Sequence, residues 1–405
     1  RPVGSTVARS KASRLVLSRT LTYAVLIAVA LLVLFPFFIA LTTSLKQGDD
    51  VFNYPPTVLP RAASTVEGGA LDGKPLYDLE IAGETRRVAL ETDGASVLVL
   101  AEPEDITQTV LVAVDDTAPT GETVAIDGEQ LPLITAQVAG EEQTLVRLRS
   151  SVGAVFTDPD DPEVSVVRNV QDATPVKQLT AEPSNYSKVL ELQRLDRSLT
   201  NTLLVTILVV VGQVATSILG GYAFSRMSFA GRDVLFLGYI GSVMIPFVVL
   251  VIPLYQLMVM IGWVDSLVAL IAPFIFSAYG TFLMRQFFIT IPKELEEAAY
   301  LDGASRWTVL WRIFVPLSVP AIATLSTFAF LYAWNSFVWP LVVINSGNLD
   351  NRVLALSLQV LGGRAADTPN LILAGVVIAL LPPITVFVLA QRYFVENVAS
   401  SGLKG

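Results

Sequence analysis

Six stretches of this chain are apolar over a length that matches the hydrocarbon of a bilayer, and this constrains its fold more than any other feature. A helix needs about 20 apolar residues to cross a membrane. The first stretch, "LTYAVLIAVALLVLFPFFIALTTSL", runs from Leu21 to Leu45 and follows Arg9, Lys11, Arg14 and Arg19. A cleavable leader would have an apolar core of only about 7 to 15 residues, followed by a small-residue cleavage site. This longer run reads as a retained span whose N-terminal side lies in the cytoplasm. Five more spans follow a long polar interval, near Thr200 to Phe224, Val234 to Met260, Leu267 to Met284, Leu317 to Val343 and Leu371 to Leu389. Pro246, Pro253, Pro273, Pro320, Pro340, Pro382 and Pro383 lie in or at the ends of these spans. Neighbouring helices can satisfy the backbone groups that such prolines free. Gly212, Gly220 and Gly221, in the second span, let another helix approach closely.

The composition agrees. Of 405 residues, 53% are hydrophobic and only 16% are charged, which does not describe an ordinary soluble enzyme. The net charge of −9 is unevenly placed: residues 46 to 198 hold 12 Lys+Arg and 27 Asp+Glu, or −15, and the rest carries +6. Cys and His are both absent, which excludes disulfides, thiol or imidazole catalysis and the usual zinc or haem ligation. An acidic soluble portion also argues against a nucleic-acid partner. Six spans would leave both termini in the cytoplasm. The basic residues favour the same side, with Arg226 and Arg232 in one loop, Arg285, Lys293, Arg306 and Arg312 in the next, and Arg392 and Lys404 near the C-terminus.

The acidic interval is then extracytoplasmic. Short runs such as "TRRVALET", "SVLVLA", "TVLVAV" and "TLVRLRS", separated by "TDG", "AGE" and "DGE", predict an all-β module. The segment from Ala70 can be laid on the segment from Ala125 with offsets of 55 to 57 residues. Asp72-Gly73 then falls on Asp127-Gly128, Ala82-Gly83-Glu84 on Ala139-Gly140-Glu141, and Pro103 on Pro159. This reads as a tandem duplication of a small β unit.

No ionisable side chain lies well inside the spans, which disfavours a proton-driven carrier or a channel with a charged ring. Gln213, Gln256 and Asn335 are the deeper polar residues, a type that most often joins helices. No phosphate-binding G-x-x-x-x-G-K-[ST] loop is present, so any ATPase must be a separate chain. The polar stretch "TIPKELEEAAYLDGASRWTVLWRIFVP", between the fourth and fifth spans, supplies a different chemistry. Pro292 with Glu294, Glu296 and Glu297 opens a helix. Asp302-Gly303 closes it, and Ser305 caps a second helix expected to end at Val315, before Pro316. The product is a rigid helix-turn-helix outside the bilayer, with a small-residue face at Ala298-Ala299 that another protein could approach.

These residues resemble the permease subunits of binding-protein-dependent ABC importers, whose signature is E-A-A, three residues, G, nine residues, I-x-L-P. Here it stands as Glu297-Ala298-Ala299, Gly303 and Ile313-Phe314-Val315-Pro316, with Val315 in place of leucine. "YPPTVLP", "NYSKVLE", "GYAFSRMSFAGRDVLF", "MIPFVVLVIPLYQLM", "AWNSFVWPL" and the ending "QRYFV...GLKG" are similar to the carbohydrate branch, and specifically to the smaller maltose-type permease. The β module lies outside the resemblance. The resemblance implies an all-α membrane protein with six transmembrane helices, to which the β-type runs after the first span add an inserted extracytoplasmic all-β module.

The expected layout is a cytoplasmic tail at 1–20, the first transmembrane helix at 21–45, and an extracytoplasmic segment at 46–198 with the insertion at about 62–183. A five-helix core follows at 199–394, including a coupling hairpin at 290–316, and then a cytoplasmic tail at 395–405. The resemblance further implies that Glu296, Glu297, Ala298, Ala299, Asp302, Gly303, Ile313 and Pro316 couple the chain to a cytoplasmic ATPase. For Asn335, Trp334 and Trp339, packing and interfacial anchoring is the weightier reading, with a place on the solute pathway second for Trp334 and Asn335. Asn345, Asn348 and Asp350, in a polar loop from Asn345 to Asn370, are expected to reach the binding protein. Expected partners are a second permease, two ATP-binding subunits, an extracytoplasmic solute-binding protein and the lipid of the inner membrane, with no cofactor and no enzymatic activity in this chain. The solute would be an oligosaccharide or polyol, or alternatively glycerol phosphate. A membrane-anchored sensor or adhesion protein built on the β module is the rival class, but it would leave five spans and the hairpin without a role.

Overall fold

The computed structural model describes residues 4–52, 56–81, 83–126, 129–138, 141–162, 164–363 and 368–401, with side chains described between 17 and 393. Ala82, Asp127-Gly128 and Ala139-Gly140 of the repeat, Tyr54-Pro55 and the last four residues fall outside these ranges. The chain forms two compact units, Arg1–Val58 with Glu182–Gly405, and Leu59–Ala181.

The first unit is helical. Among the described residues four helices are long and apolar enough to cross a membrane: Leu17–Ser44, Ser184–Arg226, Leu267–Thr290 and Pro369–Tyr393. Two further pairs qualify only when joined. Arg232–Met244 and Phe247–Ile261 meet at 100°, and Arg306–Leu317 and Val319–Trp334 at 79°. The straight third span expected from Val234 to Met260 is therefore bent. Pro246 has no N–H and disfavours helical geometry at Ile245, which is extended (φ −80°, ψ 115°). The fifth expected span also breaks, ending at Trp334 and resuming as the short helix Val338–Val343. Much of the expected N-terminal tail continues the first helix, which runs Gly4–Ser44.

Close backbone approach joins the long helix Leu195–Arg226 to Ala278–Thr290. A Cβ on Gly221 would lie 2.6 Å from Met284 Cβ, and one on Gly280 would lie 2.3 Å from Ser217 Oγ. At Gly212 the same test meets Ile275 Cβ at 2.7 Å. Gly221 and Gly280 let the two helices pack at short range, and Gly212 admits the Ile275 segment that precedes the second one. The end of the first helix leaves carbonyls without intrahelical donors, and the "NYS" stretch supplies them. Asn185 Nδ2 donates to the Ser44 and Lys46 carbonyls at 2.9 and 2.8 Å, and Asn370 Nδ2 donates to Lys46 at 3.1 Å.

The second unit is a β module. Its strands are β1 (Arg61–Ala63), β2 (Leu76–Ile81), β3 (Glu84–Glu102), β4 (Asp105–Ala113), β5 (Thr117–Ile126), β6 (Glu129–Val138), β7 (Glu141–Thr157), β8 (Ser165–Arg168), β9 (Thr174–Pro175) and β10 (Lys177–Leu179). One sheet runs β5-β6-β7-β3-β2-β9, with β4 on β3 and β8 on β7; β1 and β10 form a separate pair. The long strands β3 and β7 play equivalent parts. Each pairs through its first half with the strand before it and through its second half with the strand after it. Ser96 faces Val152, which is its own repeat mate at an offset of 56. A residue can pair with its own equivalent only on a local two-fold axis, so the duplication is built as an internal pseudo-dimer. Each core draws on both repeats. Leu98, Leu100 and Val112 meet Ile134, Ala136 and Leu145 in one, and Leu79 and Val88 meet Ala154 and Phe156 in the other.

Candidate functional site

The hairpin begins with the helix Lys293–Leu301, carrying Glu294 and Glu296 in its first turn, where the helix dipole favours acids. Its end accounts for the spacing of the signature. Gly303 sits at φ +80°, its N–H donates to the Tyr300 carbonyl at 3.0 Å, and the Ala304 N–H donates to Ala299 at 2.9 Å. These two bonds form the Schellman closure, which needs a left-handed residue four positions after its acceptor, here Ala299. Ala299 and Ala304 both pack against a core that includes Tyr222, Met284, Phe288 and Phe314. Ser305 then caps the next helix, accepting from the Thr308 N–H at 3.2 Å.

That second helix does not stop at Val315. It passes through a π turn at Leu310–Phe314 and continues to Leu317. Pro316 cannot donate to the carbonyl four residues back and would crowd it, and a widened turn just before it relieves both problems. Ile313 is half-buried against the core, and Pro316 is exposed.

Among the described residues one buried ion pair joins the hairpin to the spans. Arg226, the last residue of the Leu195–Arg226 helix, meets Glu296 at 3.5 Å, with the two side chains 5% and 13% exposed. Arg226 Nη2 also donates to the Phe288 carbonyl at 2.5 Å and to that of Ile291, and its Cζ lies 4.9 Å from the Phe314 ring centre. Tyr300 donates its hydroxyl to the other Glu296 oxygen at 2.9 Å. Glu296 thus faces inward. Glu297 and Ala298 are exposed, as are Asp302 and Gly303, and Glu297 makes no hydrogen bond or ion pair among the described residues. Around them Leu301 is 90% and Trp307 62% exposed. An exposed acid and exposed apolar side chains on one hairpin have the composition of a docking surface.

The other singled-out residues lie elsewhere. Trp334 is buried, donates Nε1 to the Ala379 carbonyl at 3.1 Å and stacks on Phe330. Asn335 is exposed and bonds back to the Leu331 carbonyl at 2.8 Å. Gln213 joins helices, donating to the Phe274 carbonyl beside the Pro273 break at 2.8 Å. Gln256 stays exposed.

Asn345, Asn348 and Asp350 belong to a tightly tied turn. Asp265, itself at φ +59°, accepts from the Asn345 N–H at 3.0 Å and from Asn348 Nδ2 at 2.8 Å, while Asp350 pairs with Arg194 at 2.8 Å. The segment expected to be an open polar loop also contains the helix Leu354–Gly362, with Leu354, Leu356, Ser357 and Leu361 buried. Its apolar run outweighs the polar "INSGNLDN" before it; residues 364–367 lie outside the described residues.

Arg226 is the residue that sequence reasoning missed as part of the site. Its signal was present: a cation ending a span in "GYAFSR", opposite an acidic helix start.

Comparison with known proteins gives this geometry a family. Residues 213–400 match the family described as "Binding-protein-dependent transport system inner membrane component". The sn-glycerol-3-phosphate transport system permease protein UgpE of Rhizobium meliloti is 34% identical over 245 residues, 59% of this chain and 87% of that protein. UgpE of Pectobacterium atrosepticum is 34% identical over 203 residues, 50% and 72% respectively. The arabinooligosaccharides transport system permease protein AraQ of Halalkalibacterium halodurans is 35% identical over 205 residues, 51% and 73%. A solved bacterial ABC transporter involved in the import of the acidic polysaccharide alginate aligns with a TM-score of 0.48 at 26% identity, covering 55% of this chain and 81% of that one. Several apolar helices and a hairpin bearing the signature agree with the family match over residues 213–400. The chain belongs to the binding-protein-dependent transport system inner membrane components, the multi-pass permease subunits of ABC importers, which are not themselves enzymes.

Proposed function

We propose that this chain is a six-span permease forming half of the pathway by which a carbohydrate enters the cell. Each bent helix pair counts as one span, both termini are cytoplasmic, and the partner half is a second, different permease. Two ATP-binding subunits drive the cycle and an extracytoplasmic binding protein delivers the solute. The hairpin carries the reading: it presents Glu297, Leu301 and Trp307 on a rigid turn while Glu296 ties it to Arg226. On this reading the Lys293–Leu301 helix sits in a cleft of the ATPase, and closure of the two ATPases swings the permease pair between its two facing states, a two-state element biased by nucleotide.

Co-purification tests it. The wild-type chain should bring down an ATP-binding subunit, and Glu297→Lys or Gly303→Pro should lose it; retention by both variants would contradict the assignment. Carbohydrate is favoured over glycerol phosphate by the similarity of the quoted motifs to the carbohydrate branch, although the relatives are named for both solute classes. The Asn345–Asp350 turn is assigned to the binding protein, and its rigidity suits a fixed contact. The β module is assigned to the same docking event. Removing residues 64–182 should raise the concentration of binding protein that half-saturates uptake, and an unchanged value would sink that role.

A further inference from the structure

Among the described residues three that are not glycine have left-handed backbone: Gln193 (φ 55°), Arg194 (φ 52°) and Asp265 (φ 59°). All three bond to one turn, residues 345–352. Asp265 accepts from the Asn345 N–H at 3.0 Å and from Asn348 Nδ2 at 2.8 Å, and its carbonyl accepts from Asn351 Nδ2 at 2.6 Å. Arg194 pairs with Asp350 at 2.8 Å, and Gln193 Oε1 accepts from Arg352 Nη1 at 3.3 Å. A left-handed residue with a side chain weighs against the state that contains it by about ten-fold. Such residues persist only where their surroundings hold them, as in clamps and switches.

Arg352 adds a second unfavourable feature. It is 3% exposed, yet the neighbouring acid, Asp350, is taken by Arg194, and no carboxylate pairs with Arg352 among the described residues. Its Nη2 donates to the Ser346 carbonyl, and its Nε has no partner there. A buried cation without a counter-ion is costly. The turn itself is held by other bonds. The Gly347 N–H donates to Asn345 Oδ1 at 2.9 Å and the Asp350 N–H to Asn348 Oδ1 at 3.0 Å. Asn201 Nδ2, on the helix Leu195–Arg226, donates to the Asp350 and Arg352 carbonyls at 2.7 and 2.9 Å. The turn can therefore keep its form and its seat on that helix while its bonds to Asp265 break. Asp265 lies between the helices Phe247–Ile261 and Leu267–Ile271, so those bonds join separate spans.

We propose that this node is a strained clasp through which the permease senses its docked binding protein. In the resting transporter the clasp ties the extracytoplasmic ends of the spans together; contact with the turn at 345–352 breaks its bonds to Asp265 and Arg194 and frees the spans to move. The inference rests on the permease reading above and deepens it, giving the turn a release as well as a contact. Strained backbone and an uncompensated guanidinium both disfavour the closed form, so a modest difference in the partner's affinity for the two forms is enough to open it. Asp265 is the positioning residue of the device.

The test uses the complete transporter in proteoliposomes, its other subunits made free of cysteine, and reads ATP hydrolysis with and without the binding protein. Asp265→Cys with Asn348→Cys puts two thiols in place of the central hydrogen bond, in a chain that has no other cysteine. Reduced, this pair should raise hydrolysis without binding protein at least about three-fold over wild type, because the tie is gone. Oxidised to the disulfide, it should return to the resting rate and ignore the binding protein. Arg194 and Asp350 have side chains 52% and 66% exposed, so Arg194→Cys with Asp350→Cys tests the clasp at its surface. Joined by a reducible bifunctional thiol reagent, that pair should lose stimulation by the binding protein and regain it on reduction. Wild-type stimulation with either pair locked would overturn the proposal, as would a resting rate in the reduced 265/348 pair of an assembled complex. Should the 265/348 pair fail to assemble, the 194/350 cross-link decides alone. A wild-type complex whose hydrolysis ignores the binding protein would instead overturn the permease reading beneath it.

Discussion

Arg226 shows how one side chain can tie two elements together. Its guanidinium serves two carbonyls at the end of Ala278–Thr290, the Glu296 carboxylate and the face of Phe314. Removing one partner of a buried pair strands the other charge and typically costs about 3–5 kcal/mol. Arg226→Met should therefore lower the thermal stability of the detergent-solubilised complex, and Arg226→Met with Glu296→Leu should recover most of it. If uptake stays low in the recovered double variant, the pair transmits motion as well as stabilising the fold; full recovery of uptake would leave it a purely structural tie. Gly221 makes a contact of another kind. Gly221→Val would force atoms into Met284 and the backbone at Arg285, with overpacking worth about 1–3 kcal/mol, and should show as a lower melting temperature. In the sequence, the cation at the end of "GYAFSR" and the two adjacent glutamates were plain. Which glutamate turned inward was not, since that depends on how the hairpin docks against Phe288 and Phe314.

Elements were legible where periodicity and length decide them, and illegible where a tertiary contact does. The hairpin reads directly from its caps, because Ser305 and Gly303 act through bonds within a few residues. Gly303→Ala keeps the side chain small but puts a Cβ at φ +80°, where a left-handed residue costs roughly 1–2 kcal/mol. It should weaken ATPase co-purification less than Gly303→Pro does. The 100° and 79° bends were not legible, since prolines inside apolar runs fit kinks of many sizes and the packing chooses among them. The β module makes the reverse case. Its duplication could be read from turn landmarks, yet the intertwining could not, because strand pairing between distant segments leaves no local trace. Since each core needs both repeats, residues 59–181 expressed alone should give cooperative thermal unfolding by circular dichroism. Residues 59–118 alone should not, and a folded half would refute the shared cores. Within the module, hydrogen bonds from Thr107 hold the Asp105 carboxyl below the usual carboxylate range. That stabilisation is present above the carboxyl's unfolded-state pKa and is lost as pH falls through its lowered folded value, so Asp105→Asn should flatten the acid limb of the module's pH–stability curve.

At the scale of the whole molecule, composition alone separated an apolar membrane unit from an acidic insertion of net charge −14 between residues 59 and 181. The family was legible because its signature is local. The tied turn on Asp265 and the buried helix Leu354–Gly362 were hidden behind a polar stretch that resembles any exposed loop. What remains is the proposed mechanics, in which the force of nucleotide hydrolysis in a separate subunit would enter this chain through the hairpin. The chain contains no cysteine, so Leu301→Cys places a single thiol on the exposed tip. Cross-linking that thiol to a cysteine introduced in the ATP-binding subunit, and following ATP-driven solute uptake before and after reduction, tests the claim directly. The account predicts that the cross-link forms and that reducing it restores wild-type uptake. An ATPase that never cross-links to residue 301 in an actively importing complex would contradict it.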